Sequence, residues 1–122
     1  MRLVTFSDGG AARIGALDAD GALRDITAAA PTLPRDMVGL IAAGPKALSL
    51  ARDALSKAPV VSGAKLLAPI PRPPKNVFCV GKNYHEHDKE FAGSGFDGGA
   101  KDVVPPFPVV FSKPHTAIIA IG

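Results

Sequence analysis

The chain has 122 residues and a formal net charge of +3, enough material for one domain and not clearly for two. Its six arginines and eight lysines are scattered with no run of three, and the aromatics are few (six Phe, one Tyr, no Trp), so the clustered charge and stacking surface of a nucleic-acid partner are absent. A single cysteine excludes a disulfide framework and a cysteine-rich zinc site, while the lack of a bilayer-length apolar run and of an apolar centre in MRLVTFSDGG makes a reducing cytoplasm the expected compartment, with no membrane partner.

Three short segments open the chain, Arg2–Phe6, Arg13–Leu17 and Ala22–Ile26, separated by SDGGAA and DADG with their Asp-Gly turn signals. This pattern predicts a small antiparallel meander. Two helices follow. Asp36–Ala43 places Met37, Leu40 and Ile41 on one face, and Lys46–Ala58 does the same for Ala47, Leu50, Ala51, Ala54, Leu55 and Ala58. Gly44-Pro45 divides them, because proline is tolerated at a helix start and not within one. Lys65–Ala68 reads as a further strand. The stretch Pro69–Pro74 then holds four prolines in six residues and is extended and stiff, so it is the natural boundary between residues 1–68, a small α+β unit without clustered reactive side chains, and residues 69–122.

Beyond the boundary, Asn76–Val80 is a short apolar run expected to form a buried strand. Asn83, with Glu86 three residues on, has the pattern of a helix cap for a segment Tyr84–Phe91. A glycine-rich loop and three prolines lead to Val109–Ser112, a second expected buried strand. Lys113-Pro114 stops it, and Thr116–Ile121 is a third strand-like apolar run. Ending inside such a run is the pattern of a fragment, since an unpaired apolar edge invites aggregation.

The chemistry-bearing residues are concentrated in Gly81–Phe91. The chain's only two glutamates, Glu86 and Glu90, its only tyrosine, Tyr84, and two of its three histidines, His85 and His87, fall within seven residues there. On a helix His87 and Glu90 share a face. A carboxylate so placed can accept the proton of one imidazole nitrogen and raise the basicity of the other, which makes a general base able to activate water. His85 lies about 200° around the helix from His87, which argues against a two-histidine metal face. The competing reading of the cluster is a solvated helix whose charges only aid solubility. Residues 93–98 match G-x-G-x-x-G, but a helix precedes the loop and prolines follow it, which is the wrong setting for a dinucleotide. Cys79, within an apolar strand, reads as an inert core thiol. Lys113 reads as a lone strand-end lysine and His115 as a surface loop histidine.

The run LLAPIPRPPKNVFCVGKNYHEHDKE followed by PPFPVVFSKPHTAI resembles the start of the catalytic domain of the fumarylacetoacetate hydrolase family. Gly81, Lys82, Asn83, Tyr84, His87 and Glu90 fit its G-[KR]-N-Y-x-x-H-x-x-E motif. Phe111, Lys113, Pro114 and Thr116 fit F-x-K-P-x-T. The first 65 or so residues are similar to the variable amino-terminal domain of bacterial members. The resemblance implies an α+β chain whose second part begins a β-rich catalytic domain. It implies an enzyme acting on small carboxylate-bearing oxo compounds, β-diketo or 2-oxo acids, by C–C hydrolysis, decarboxylation or isomerisation. By the same resemblance His87 and Glu90 are catalytic, Lys113 meets substrate negative charge, and the loop Gly93–Asp102 is a lid. The cofactor implied is Mg²⁺, with Mn²⁺ or Ca²⁺ in some members, and the assembly is a homodimer through the catalytic domain. The family's metal ligands are a Glu-x-Glu pair and a later Asp. This chain has no Glu-x-Glu and no glutamate beyond Glu90, so it is expected neither to hold the metal tightly nor to turn over substrate alone. The alternative is a non-enzymatic short module that binds a protein partner.

Overall fold

The computed structural model describes residues 1–81 and 107–120. They divide into two compact units. One is built on Met1–Pro73 and takes in the chain from Ile118, and the other lies within Pro74–Ala117.

The first unit opens with three antiparallel strands, β1 (Arg2–Ser7), β2 (Arg13–Leu17) and β3 (Leu23–Asp25). Both turns are made by the residues the sequence marks for them. Gly9 and Gly21 take φ of +98° and +82°, a region that favours glycine. Asp18 closes the second turn by accepting from the amides of Asp20 and Ala22 at 3.1 and 2.9 Å. A fourth strand, β4 (Lys65–Leu67), pairs antiparallel with β1, giving the order β3-β2-β1-β4. The far edge of β3 is met by the chain after the helices. The Asp25 amide donates to Pro59 O at 3.0 Å and the Val61 amide to Leu23 O at 2.8 Å.

Alternation along β2 sends Ile14 and Ala16 to one face, where they join Ile26, Leu33, Met37, Leu40, Ala51 and Ala54 in the core. The helices that supply these residues are α1 (Ile26–Ala29), α2 (Met37–Ala42) and α3 (Gly44–Ala54), the last running into a 3₁₀ turn at Leu55–Lys57. Asp25 caps α1 through the Ala28 amide, and Asp36 caps α2 through the Gly39 amide. Gly44, with φ of +73°, lets the chain turn between α2 and α3, and Pro45 follows at the start of α3. The first residues of the proline-rich stretch also belong to this unit: Thr5 Oγ1 donates to Pro69 O at 2.6 Å, and Ile70 packs against the core.

The opposite face of the meander is closed by a polar arrangement. Phe6 pairs with Arg13 in the register, and the Arg13 guanidinium lies over the Phe6 ring, 4.8 Å from its centroid. Gly15, between them and Asp25, has no room for a side chain, since a Cβ there would meet Arg24 O at 2.8 Å and the Phe6 ring at 3.0 Å. Arg13 Nε donates to Asp25 Oδ2 at 2.9 Å across that gap, and its other nitrogens pair with Asp8. Asp25 also accepts from Thr27 Oγ1 at 2.6 Å. Burial alone would raise the Asp25 carboxyl, but the bonds from Thr27, Ala28 and Arg13 outweigh it and hold it below the ordinary carboxylate range. The Arg13 hydrogen bond likewise lowers Asp8, and the Arg24 hydrogen bond lowers Asp18.

The second unit contributes a two-stranded antiparallel ribbon, β5 (Val77–Gly81) with β6 (Val109–Lys113), and a 3₁₀ turn at His115–Ala117.

Several expectations are corrected. The two strands expected to be buried are largely exposed, with Phe78 at 76% and every residue of β6 open, each pairing only with the other among the described residues. The third run forms no strand over residues 116–120. Pro114 lacks an amide proton and its carbonyl instead accepts from the Ala117 amide, which winds the chain into a 3₁₀ turn. Ile41 and Leu50, expected on core faces, are 59% and 42% exposed. Met37 with Leu40, and Ala51 with Ala54, fix the inward stripes, and Leu50 sits a full 100° step from Ala51. Ile26, expected in the third strand, instead starts α1.

Because folding depresses the carboxyls of Asp8, Asp18 and Asp25, their contribution to stability is present above the unfolded value near ~3.9 and is lost as pH falls through the folded values. Acid titration followed by circular dichroism should show that loss below about pH 4. In urea at pH 7, Asp25→Ala should cost about 1–3 kcal/mol, removing a cap and leaving Arg13 half-paired. Amide exchange in the 122-residue chain should give β5 and β6 protection at least ~100-fold below that of β1 and β2, since a lone ribbon opens locally.

Candidate functional site

The segment that concentrates the reactive side chains begins where β5 ends. Gly81, the first residue of the G-[KR]-N-Y motif, is the last residue of β5 and pairs with Val109 at the start of β6. His87 and Glu90 lie outside the described residues, as do Asn83, Tyr84, His85, Glu86 and the loop Gly93–Asp102. Lys113, from the second motif, is the last residue of β6 and is exposed. The register sets it opposite Val77, four residues along from the Gly81–Val109 pair and therefore roughly 14 Å from it at strand spacing. The ribbon thus ties the two motifs together covalently and by hydrogen bonds while holding Gly81 and Lys113 at opposite ends.

Cross-strand pairing also sorts the ribbon's side chains by face. Val77, Cys79, Phe111 and Lys113 share one face with Gly81, and Phe78, Val80, Val110 and Ser112 share the other. A Cβ on Gly81 would sit 3.5 Å from the Phe111 ring, an ordinary contact, so packing alone does not require glycine there. Cys79 is in the expected strand but is only partly buried, which corrects its reading as a core thiol: the ribbon has no core to put it in. His115 opens the 3₁₀ turn after Pro114 and is exposed, as a surface histidine should be.

Among the described residues, no three His, Cys, Asp or Glu side chains come together to hold a metal ion. Among the described residues, the groups whose protonation folding perturbs are Asp8, Arg13, Asp18 and Asp25, all in the first unit, and each is satisfied by an ion pair. Arg13 is raised by its bonds to Asp8 and Asp25. This network was not singled out in the sequence, where Arg13 and Asp25 are twelve residues apart. It is a structural brace, because every charge in it faces its partner. No helix among the described residues is long and apolar enough to cross a membrane.

No protein-family model matches the chain. Curated relatives do. The mitochondrial oxaloacetate tautomerase FAHD2A of Bos taurus is 39% identical over 81% of this chain and 29% of its own length. The oxaloacetate tautomerase YisK of Bacillus subtilis is 33% identical over 75% of this chain and 32% of its own. The mitochondrial oxaloacetate tautomerase fahd2 of Xenopus laevis is 35% identical over 98% of this chain and 36% of its own. The chain therefore spans about a third of the length of the relatives it matches. A solved structure of fumarylacetoacetate hydrolase from the psychrophile Exiguobacterium antarcticum superposes with a TM-score of 0.61 at 32% identity, over 98% of this chain and 37% of that one.

Proposed function

This chain belongs to the fumarylacetoacetate hydrolase family, on its amino-terminal portion, and we propose that it is part of an enzyme that moves a proton on a small 2-oxo or β-diketo carboxylic acid. The observation that carries this reading is the likeness to three relatives named oxaloacetate tautomerases, at 33–39% identity over 75–98% of the chain. Tautomerisation needs a base to take a proton from the carbon beside the oxo group and an acid to return one to the oxygen. No atom is gained or lost. The paired motif supplies residue types for that task. Glu90, three residues from His87, accepts one imidazole proton and leaves the other nitrogen to take the substrate's. Lys113 is proposed to meet the substrate's carboxylate with a charge-assisted hydrogen bond.

The same His–Glu pair activates water in a second reading, C–C bond hydrolysis, which the fumarylacetoacetate hydrolase structure favours. Decarboxylation of the same class of acid is a third outcome of the same substrate set. We propose a Mg²⁺ requirement, with Mn²⁺ or Ca²⁺ as substitutes, met by carboxylates that residues 1–122 do not contain, and a homodimer formed through the catalytic domain.

The test is to express the full reading frame and to follow enol-to-keto conversion of oxaloacetate beside cleavage of acylpyruvates, with and without Mg²⁺. Tautomerisation exceeding cleavage supports the first reading, and the reverse supports the second. His87→Ala should lower kcat about 10²–10⁴-fold, and activity retained in that variant would sink the mechanism. Lys113→Ala should raise KM by about tenfold or more with kcat little changed, the size of one lost charged hydrogen bond. An unaltered KM would remove Lys113 from the site.

A further inference from the structure

A cleft of about 300 Å³ opens in the first unit beside β1, at the start of α2 and along Ile70–Arg72. Its size is at the lower end of small-molecule sites. Met37, Val38, Ile70 and Pro71 give it apolar walls, and Arg35 and Arg72 also line it. Both arginines are exposed. Arg13 and Arg24 are held by aspartates, whereas Arg35 and Arg72, like Arg2 and Arg52, form no ion pair among the described residues. Asp36 is the one acidic residue in the lining, and its Oδ1 already accepts from the Gly39 amide at 2.9 Å to cap α2. The Thr5 hydroxyl proton is committed to Pro69 O. Two guanidiniums against one engaged carboxylate leave the cleft positive, with an apolar floor and free donors.

We infer that this cleft binds a small monocarboxylate carrying a short apolar body, with its carboxylate on Arg35 and Arg72 and its hydrocarbon against Met37, Val38 and Ile70. Guanidinium forks match a planar carboxylate, and among the described residues those of Arg35 and Arg72 are in no ion pair. Inorganic phosphate would leave the apolar walls unused, and a neutral alcohol would leave both guanidiniums unpaired. This inference rests on the first unit alone and is independent of the catalytic reading, which concerns His87, Glu90 and Lys113.

Hexanoate, hexanol and inorganic phosphate serve as probes, each titrated into the ¹⁵N-labelled 122-residue chain. Hexanoate should give saturable shifts centred on the amides of Ala12, Val38 and Ile70. Hexanol and phosphate should each bind about tenfold more weakly or worse, because each lacks one half of the match. The double variant Arg35→Gln, Arg72→Gln should weaken hexanoate by about tenfold or more with the rest of the spectrum unchanged. Val38→Glu, which sets a like charge on an exposed wall position, should do the same and serves if the double variant loses its fold. The inference is overturned if hexanoate gives no saturable shifts, if hexanol or phosphate binds as tightly, or if the variants retain wild-type affinity.

Discussion

The first unit depends on one nearly buried carboxylate. Asp25 is 6% exposed, and its groups meet three parts of the chain. Its amide reaches Pro59, one carboxylate oxygen caps α1 and takes the Thr27 hydroxyl, and the other takes Arg13 from β2. A carboxylate removed from water is costly unless it is satisfied on every side, and here three donors satisfy it. Much of the local architecture follows. The β3 strand must end at Asp25 so that α1 can begin, Gly15 must lack a side chain because a Cβ would meet Arg24 O and the Phe6 ring, and Arg13 lies over that ring. The helices can then press Ile26, Leu40 and Ala51 onto the other face of the meander. The account is one of mutual constraint, since no single bond in the set has a partner that could be exchanged without exposing another.

The second unit is built on the opposite principle. Its ribbon presents apolar residues on both faces, Val77 and Phe111 on one and Phe78, Val80 and Val110 on the other, and buries none of them fully. Its regularity comes from backbone pairing and from the proline that ends it. What the ribbon fixes is placement. It fixes the point at which the His87-bearing segment departs, and it sets Lys113 four residue pairs away.

The meander was legible because its turns carry their own chemistry: Asp and Gly at residues 8–10 and 18–21 leave few other conformations open. The helix division at Gly44-Pro45 was legible for the same reason. Local chemistry did not reveal α1, because Ile26 extends the apolar alternation of β3 and only the tertiary role of Asp25 shows that the strand stops there. Nor could periodicity distinguish an apolar strand that is buried from one that is not, as Phe78 and Val110 demonstrate. That difference lies in what a strand packs against, which its own residues do not encode. For the candidate site, Gly81 and Lys113 stand at strand ends, and the rest of the first motif lies outside the described residues. The Arg35–Arg72 cleft gave no sequence signal, since its two arginines are 37 positions apart and line one cleft only when Ile70–Arg72 lies along the first unit.

The proposed function divides the labour: His87 and Glu90 are proposed to transfer the proton, and the divalent cation is proposed to be held by carboxylates that residues 1–122 do not contain. Hard cations need several oxygen ligands, so this division is measurable without any assay of turnover. Isothermal titration calorimetry of Mg²⁺ into the 122-residue chain, beside the product of the full reading frame, tests it most directly. The account predicts no one-to-one binding to the chain at concentrations that saturate the full product. Tight one-to-one binding to the 122-residue chain would contradict it.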